Sequence, residues 1–522
     1  MGKKPVALIE NHIRAYRGKG DIMKSRVIAA FCLFVLLLAM PGMALGYDWK
    51  LGNWGNLNLR GDITYALKLR TETQDRRFVD PRSPYYVSGD ANFRKGELGN
   101  NALIGTVEII VDSKNITFFG RVVGLLDAVY FDEDRFNKET REHAAYNITD
   151  GLEFYLEGRW GSFTTRWGRQ IVQWGESTAP IFAPSVNVVS AFFIQRVGSA
   201  GFTFRSWQVP TFMAWGSYEA SENLSLELVW APDFDPRFFL PVVGTFQSPI
   251  DILGFGAESD LVEDLRPTDW ADQQQGGAAV RMVIPQLDMM EFGIYYYHYL
   301  SRWPMMTMPE VFPPKMFIEW PEFDLIGISF SHAIQNWGLN VQLGGEIAYR
   351  WNEPLQLESI NSPFLASASG QEKLPAGFER SNTVAWGINA MKMMFDVFDF
   401  TPWNFQLSPL LEFYGRINLD YEEAMMFMDP QFTAYYTLQL PLTSSDIIDN
   451  ARLDIGFSAM GGMHKQNNLL HQLGFTAGGK YGNSWEVLFG YNIMIGNADQ
   501  DPGGKWTWDR DNFVFKLTYY FI

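Results

Sequence analysis

The sequence predicts an all-β protein, a single antiparallel barrel of about 18 strands that crosses a membrane. Three observations predict it. Apolar and polar residues alternate over stretches longer than soluble strands use. Aromatic residues make up 16% of the 522 residues, yet mean hydropathy is slightly negative, so the apolar side chains are dispersed among polar ones. The connections between alternating stretches are short and long in turn.

The chain begins with a segment of a different kind. Residues 27–40, VIAAFCLFVLLLAM, follow Lys24 and Arg26 and lead into PGMALG, with small Ala44 and Gly46 ahead of Tyr47. This is the pattern of a secretory signal peptide, and its apolar run falls short of the about 20 residues a spanning helix needs. The reading therefore divides the chain into a leader, residues 1–46, and a barrel, residues 47–522. The 22 residues before Met23 do not fit a short basic leader start, which predicts Met23 as the true initiator. Cys32, the one cysteine, lies in the leader, so the mature chain can form no disulfide. Removing the leader's net charge of +5 takes the chain from −17 to −22. Such an acidic protein repels nucleic acid.

The first barrel strand is read at residues 57–70, where Leu57, Leu59, Ile63, Tyr65, Leu67 and Leu69 oppose Asn58, Arg60, Asp62, Thr64, Lys68 and Arg70. A tilted strand crossing a bilayer needs roughly 9–11 residues, against about 5–6 in soluble proteins. The pattern returns at residues 339–350 and at the end of the chain, with Phe513, Phe515, Leu517, Tyr519 and Phe521 on one parity. An aromatic final strand is the signal by which the barrel-assembly machinery takes up such chains. Short turns are read at 112–115, 161–162, 220–223, 285–286, 334–337, 396–404, 441–450 and 482–484. Long loops are read near 71–98, 130–148, 175–200, 233–275, 300–323, 351–382, 419–430, 462–470 and 496–510. Eight turns and nine loops join 18 strands; 16 remain open if the stretch before Gly276 is not a strand. In lipid every backbone amide needs a partner, so the sheet must close. A soluble propeller would show repeats of about 40–50 residues, and none is seen.

Two blocks, WGRQIVQWGES (167–177) and DLIGISFSHAIQNWGLNVQLGGEIAYRWNEPLQL (324–357), resemble an uncharacterised family of proteobacterial outer-membrane proteins, domain of unknown function 1302. The resemblance implies a porin-like barrel in the outer membrane of a Gram-negative bacterium. The family's Asn-Pro-rich continuation and its Arg-x-Pro-Gly are replaced here by SVNVVSAFFIQRVGSAG, which keeps Asn187, Arg196 and Gly198.

The third long loop is the candidate site. Between Ser177 and Ala200 its one charge is Arg196, while Ile181, Phe182, Val186, Val188, Val189, Phe192, Phe193 and Ile194 are apolar. Burial in the lumen would remove that surface from water at roughly 25 cal/mol per Å². Arg166, Arg169, Gln170, Trp174, Glu176 and Arg196 are the candidate constriction residues. Arg169 interrupts the apolar parity of Trp167 and Ile171; facing mid-bilayer lipid it would cost about 2–4 kcal/mol, so it belongs at the rim or on a strand turned inward. Glu176 and Arg196 could pair across the loop, either selecting solutes or bracing it.

Met305, Met306 and Met308, with Met425, Met426 and Met428, fall in predicted surface loops. Flexible thioethers suit a hydrophobic entry site, or loops packed on one another. Asn497, Asp499 and Asp501 are spaced like calcium ligands, but Pro502 and Trp508 stand where glycine and glutamate are needed. The histidines lack metal-ligand spacing, and no nucleophile motif or phosphate loop is present. The sequence thus predicts no enzyme, cofactor or metal. It predicts a passive channel for small, moderately hydrophobic or amphipathic solutes, in contact with lipid and lipopolysaccharide and able to form homo-oligomers. The alternatives are a non-conducting scaffold or lipid-export component, and a barrel-embedded hydrolase.

Overall fold

The computed structural model describes residues 47–81, 88–147, 152–177, 186, 188–190, 196, 199–234, 242–248, 262–302, 304–307, 316–335, 340–359, 374–398, 400–420, 431–448, 450–464, 471–496 and 509–521. The leader, the calcium-like segment, Met308 and the methionines of 425–428 lie outside them.

Eighteen strands form the wall. The first nine are β1 (Asn56–Arg70), β2 (Leu98–Asp112), β3 (Ile116–Asp127), β4 (Glu153–Trp160), β5 (Phe163–Gln170), β6 (Thr211–Ser221), β7 (Leu224–Ala231), β8 (Gln275–Ile284) and β9 (Met290–Leu300). The rest are β10 (Glu322–Ile334), β11 (Val341–Ser359), β12 (Leu374–Lys392), β13 (Leu410–Asn418), β14 (Phe432–Ile448), β15 (Ala451–His464), β16 (His471–Tyr481), β17 (Trp485–Ile495) and β18 (Asn512–Phe521). Each pairs antiparallel with the next. β18 returns to β1, with Leu517 opposite Tyr65, so the sheet has no free edge. Of the stretch before Gly276 only Gln275 belongs to the wall, as the first residue of β8. From Gly276 to Met282 β8 pairs with both β7 and β9, Val283 and Ile284 pair with β9 alone, and the wall closes with 18 strands.

Burial is inverted relative to a soluble protein. Trp167, Leu156, Leu228, Ile326 and Phe475 are exposed on the outer face, whereas Arg70, Glu157, Glu346 and Glu412 are buried inside. Apolar-out, polar-in alternation is what a lipid-facing barrel requires. Two predicted connections prove shorter than read. β14 continues through Pro441, which lacks an N–H but accepts one from Ser408, and runs on to Ile448, three residues before β15 begins. β11 and β12 extend into the stretch read as a loop at 351–382, absorbing Pro354 near a bulge between Arg350 and Glu353.

The barrel core is made by a loop. Val172, Trp174, Val186, Val188 and Val189 of the third loop cluster with Tyr295, Tyr297 and Tyr299 of β9, Leu325 of β10 and Ala348 of β11. A second cluster lies at the long-loop end, where Phe93, Tyr130, Phe136, Val242 and Phe246 join the first, second and fourth loops.

Candidate solute path and constriction

The third loop leaves β5 at Gln170, whose side chain is fully buried and donates to Met213 O at 2.9 Å. Both tryptophans of this region are followed by a glycine with positive φ, Gly168 at 138° and Gly175 at 83°. At Gly168 a Cβ would lie 2.3 Å from Phe154 O across the ladder. At Gly175 it would lie 2.1 Å from Glu346 Oε2 and 2.2 Å from Val186. The first glycine lets the strand approach its neighbour; the second lets the loop turn down against the far wall.

Trp174 anchors that turn. It is 0% exposed, its ring lies 5.7 Å from both Tyr295 and Tyr297, and its indole N–H donates to Glu227 Oε2 at 3.1 Å. Glu227 also accepts from Trp215 at 3.0 Å and pairs with Arg281 at 2.8 Å. Beyond Trp174 the backbone reaches the opposite side of the barrel. Glu346 Oε2 accepts the N–H of Glu176 at 2.6 Å and of Ser177 at 3.2 Å, Ser177 Oγ donates to Glu412 at 2.9 Å, and Asn389 donates to Glu176 O at 2.7 Å. These acceptors belong to β11 and β13, six and eight strands from β5. On the return path Arg302 donates to Val188 O at 2.8 Å. The loop ends against β1 and β2, where a Cβ on Gly201 would sit 2.8 Å from Ala66 and from Ile104.

The six predicted constriction residues separate by role. Arg166 points inward, bonded to Glu157 with its guanidinium 4.7 Å from the Trp215 ring. Arg169 shares the outer-face parity of Trp167 but sits at the rim, where it donates to Pro210 O at 3.0 Å. Gln170 and Trp174 are buried supports. Glu176 and Arg196 do not pair: Glu176 lies against β11 and β12, while Arg196 donates to Ser206 O at 3.1 Å and covers Phe202 at 5.3 Å, beside Arg121 of β3. Burial, and secondarily repulsion from Glu291, raises the Glu176 carboxyl above its usual pKa. Of the predicted entry methionines, Met305 is buried in a small sheet formed among the loops with Met316–Glu319, and the Met306 side chain is outside the described residues. The seats of the loop, Glu227, Arg302, Glu346 and Glu412, were not singled out from sequence. The available signal was a carboxylate on the polar parity of an apolar strand, as in GGEIAYR.

Across the lumen the wall is different. From β14 to β17 the inward residues are small or uncharged: Gln439, Ser458, Gly474, Thr476, Gly490 and Asn492. Towards the short-turn end charges appear in pairs, Lys516 with Glu486 at 2.8 Å, Arg452 with Asp454 at 3.0 Å and Arg60 with Glu108 at 2.9 Å. At the long-loop end of β18 and β1, a buried cluster ties three loops together. Arg70 meets Asp90 at 2.6 Å and Asp509 at 2.9 Å, and Arg510 meets Asp90 at 3.3 Å while donating to Phe246 O and Ser248 O.

A family model described as "Protein of unknown function (DUF1302)" matches residues 25–521. No curated protein matches the chain in sequence. Solved structures with a similar outline include OccAB1 of Acinetobacter baumannii, 10% identical over 89% of this chain and 96% of that one, with a TM-score of 0.40. The outer membrane channel DcaP of Acinetobacter baumannii is 9% identical over 91% and 100%, TM-score 0.40, and OccK9 (OpdG) of Pseudomonas aeruginosa is 7% identical over 89% and 97%, TM-score 0.41.

Proposed function

We propose, from the premise that the chain belongs to the DUF1302 family, that it is a passive channel of the Gram-negative outer membrane for small amphipathic solutes, narrowed by its third loop. The observation that carries the reading is the division of the lumen. The loop packs against β7–β13, and Gln439, Ser458, Thr476 and Asn492 of β14–β17 remain partly exposed beside it. Most aromatics face outward and the loop's described valines are buried, so neither supplies a greasy path. The passage instead combines a neutral polar wall with the inner-parity residues Met391 and Met393, both exposed at the short-turn mouth. That mixture favours amphipathic over purely hydrophobic solutes. The paired charges near the short-turn end would act as a selectivity ring, since lumen charges tune which solutes pass. The leader would direct export, and the β18 aromatics would engage the assembly machinery.

The test is planar-bilayer recording of the refolded mature protein, residues 47–522, beside a variant with 177–195 replaced by a short Gly/Ser linker. Steady conductance that rises in the variant is the expected result. Silence from both folded proteins would reject the channel and favour a scaffold, a role that the loop cluster over β18–β2 could also serve.

A further inference from the structure

One row of the open wall runs straight across five strands. Gln439 of β14 stands opposite Ser458 of β15, Ser458 opposite Gly474 of β16, Gly474 opposite Asn492 of β17, and Asn492 opposite Asn512 of β18. Strands lie about 4.8 Å apart, so the row is wide enough to span a ring-sized molecule. All five residues share the inward parity, and none is charged. The nearest inward charges below it on these strands, Asp454 and Lys516, are two rows nearer the short-turn end.

The side chains of this row are partly bonded to one another, in one direction. Gln472, on the adjacent row, donates to Asn492 Oδ1 at 3.3 Å; Asn492 donates to Asn512 Oδ1 at 2.9 Å; Asn512 donates to Arg510 O at 2.9 Å. A primary amide has two N–H donors, and Gln472 and Asn492 each spend one. The chain of amides fixes their rotamers and leaves one donor on each directed elsewhere. Among the described residues, the side chains of Gln439, Ser458 and Thr476 make no hydrogen bond. Gly474 forms a notch between them, since a Cβ there would fall 2.4 Å from Ser458 Oγ and 3.3 Å from Asn492 Oδ1. At the loop-side margin Tyr435, stacked on Tyr414 at 5.4 Å and opposite Gly462, presents a half-buried aromatic ring.

Oriented neutral donors and acceptors beside an aromatic surface match one class of ligand. We propose that this row is a binding station for neutral hydroxylated ring compounds, with Gln439, Ser458, Gln472 and Asn492 bonding the hydroxyl groups and Tyr435 covering an apolar face. The assignment rests on the channel reading and names its solute class. A charged solute would be stripped of water here without meeting a counter-charge, which costs more than neutral bonds return.

Phenyl β-D-glucoside, with phenyl β-D-glucuronide as its charged counterpart, is the probe in planar-bilayer recordings. The glucoside should reduce the current in a saturable way and the glucuronide should not. In Gln472→Leu and Asn492→Leu the half-saturating concentration should rise at least fivefold, with heat-modifiable gel mobility confirming a folded barrel. Phe475→Leu, on the outer face of β16, should leave it unchanged. Equal saturation in wild type and both row variants, or equal block by the glucuronide, overturns the proposal. Equilibrium dialysis of the glucoside against the folded protein in micelles separates the two readings. Binding without conductance keeps the station and rejects the channel; conductance without saturable block rejects the station alone.

Discussion

The two halves of the lumen wall share an outer face and differ on the inside. Along β9–β13 the inward positions carry Tyr295, Tyr297, Tyr299, Leu325, Ala348 and Tyr414, all buried, with Glu346 and Glu412 bonded to the third loop. Along β14–β17, away from the short-turn end, Gln439, Ser458, Thr476 and Asn492 stay partly accessible, with Gly474 and Gly490 between them. The difference teaches that lumen chemistry is set by what must dock there. A loop crossing a polar pore needs large apolar seats and fixed acceptors for its backbone N–H groups, because an unmet buried donor costs about 1–3 kcal/mol. A passage needs the opposite: little side-chain volume and no strong partner.

The largest effect should come from breaking the packed half. Trp174→Ala empties the centre of the loop seat and removes one of the bonds that Glu227 accepts, at a cost of about 3–5 kcal/mol. The wall ladder itself is untouched, so the loop should leave its seat while the barrel stays closed. Single-channel conductance should rise several-fold, and protease should cut within 177–200. Trp167→Ala, on the outer face, should change neither. Equal conductance in the two variants would show that the loop does not narrow the path.

A smaller effect should come from acidity at the roof over β18–β2. Burial, then repulsion from Asp90, raises the Asp509 carboxyl from 3.8 to about 7 against the attraction of Arg70 and Arg510. A carboxyl whose pKa is raised by folding binds more protons in the docked state. Its contribution is therefore complete below pH 3.8 and lost as pH rises through about 7, by at most about 1.4 kcal/mol per unit. Hydrogen exchange of residues 242–248, corrected for its intrinsic pH dependence, should be slower at pH 5 than at pH 8. Asp509→Asn should remove the difference. A wild-type roof equally protected at both pH values would refute this.

How much of this was legible follows from where each signal resides. Strand alternation is local, so 18 strands and the places of the short turns could be read from residues such as Leu57–Arg70 in sequence, though not the extent of every turn. The third loop's entry into the lumen was also legible, because its valines and phenylalanines have no place in water. Its partners were not. Glu346 and Ser177 are 169 residues apart, and the polar parity of Glu346 in GGEIAYR marks it as inward without naming the loop it accepts. The Glu176–Arg196 pair failed for the same reason: proximity in sequence across one loop says nothing when the loop spans the barrel and its two ends rest on opposite walls. Pro441 misled because a proline ends a strand only where its missing N–H is needed, and there its carbonyl does the bonding.

The finest distinction between the halves can be drawn with a single methyl group on each side. Gly327 of β10 faces the third loop, and a Cβ there would lie 2.2 Å from Val186 Cγ1 and 3.1 Å from Ile347 O. Gly490 of β17 faces the open side, where the nearest atoms would be 3.6 Å away, an ordinary contact. Both residues are on inward parity, and alanine suits a strand better than glycine by roughly 0.5–1 kcal/mol. Gly490→Ala should therefore be neutral or slightly stabilising and, if the proposed path follows β14–β17, should lower conductance by a small increment, since the methyl group would occupy part of that path. Gly327→Ala must push Val186 from its seat, so conductance should rise and the loop should become more accessible. The same chemical change is thus expected to move one readout in opposite directions. Conductance changes of the same sign in both variants would mean that the path does not follow β14–β17, and would place it on the loop's other side.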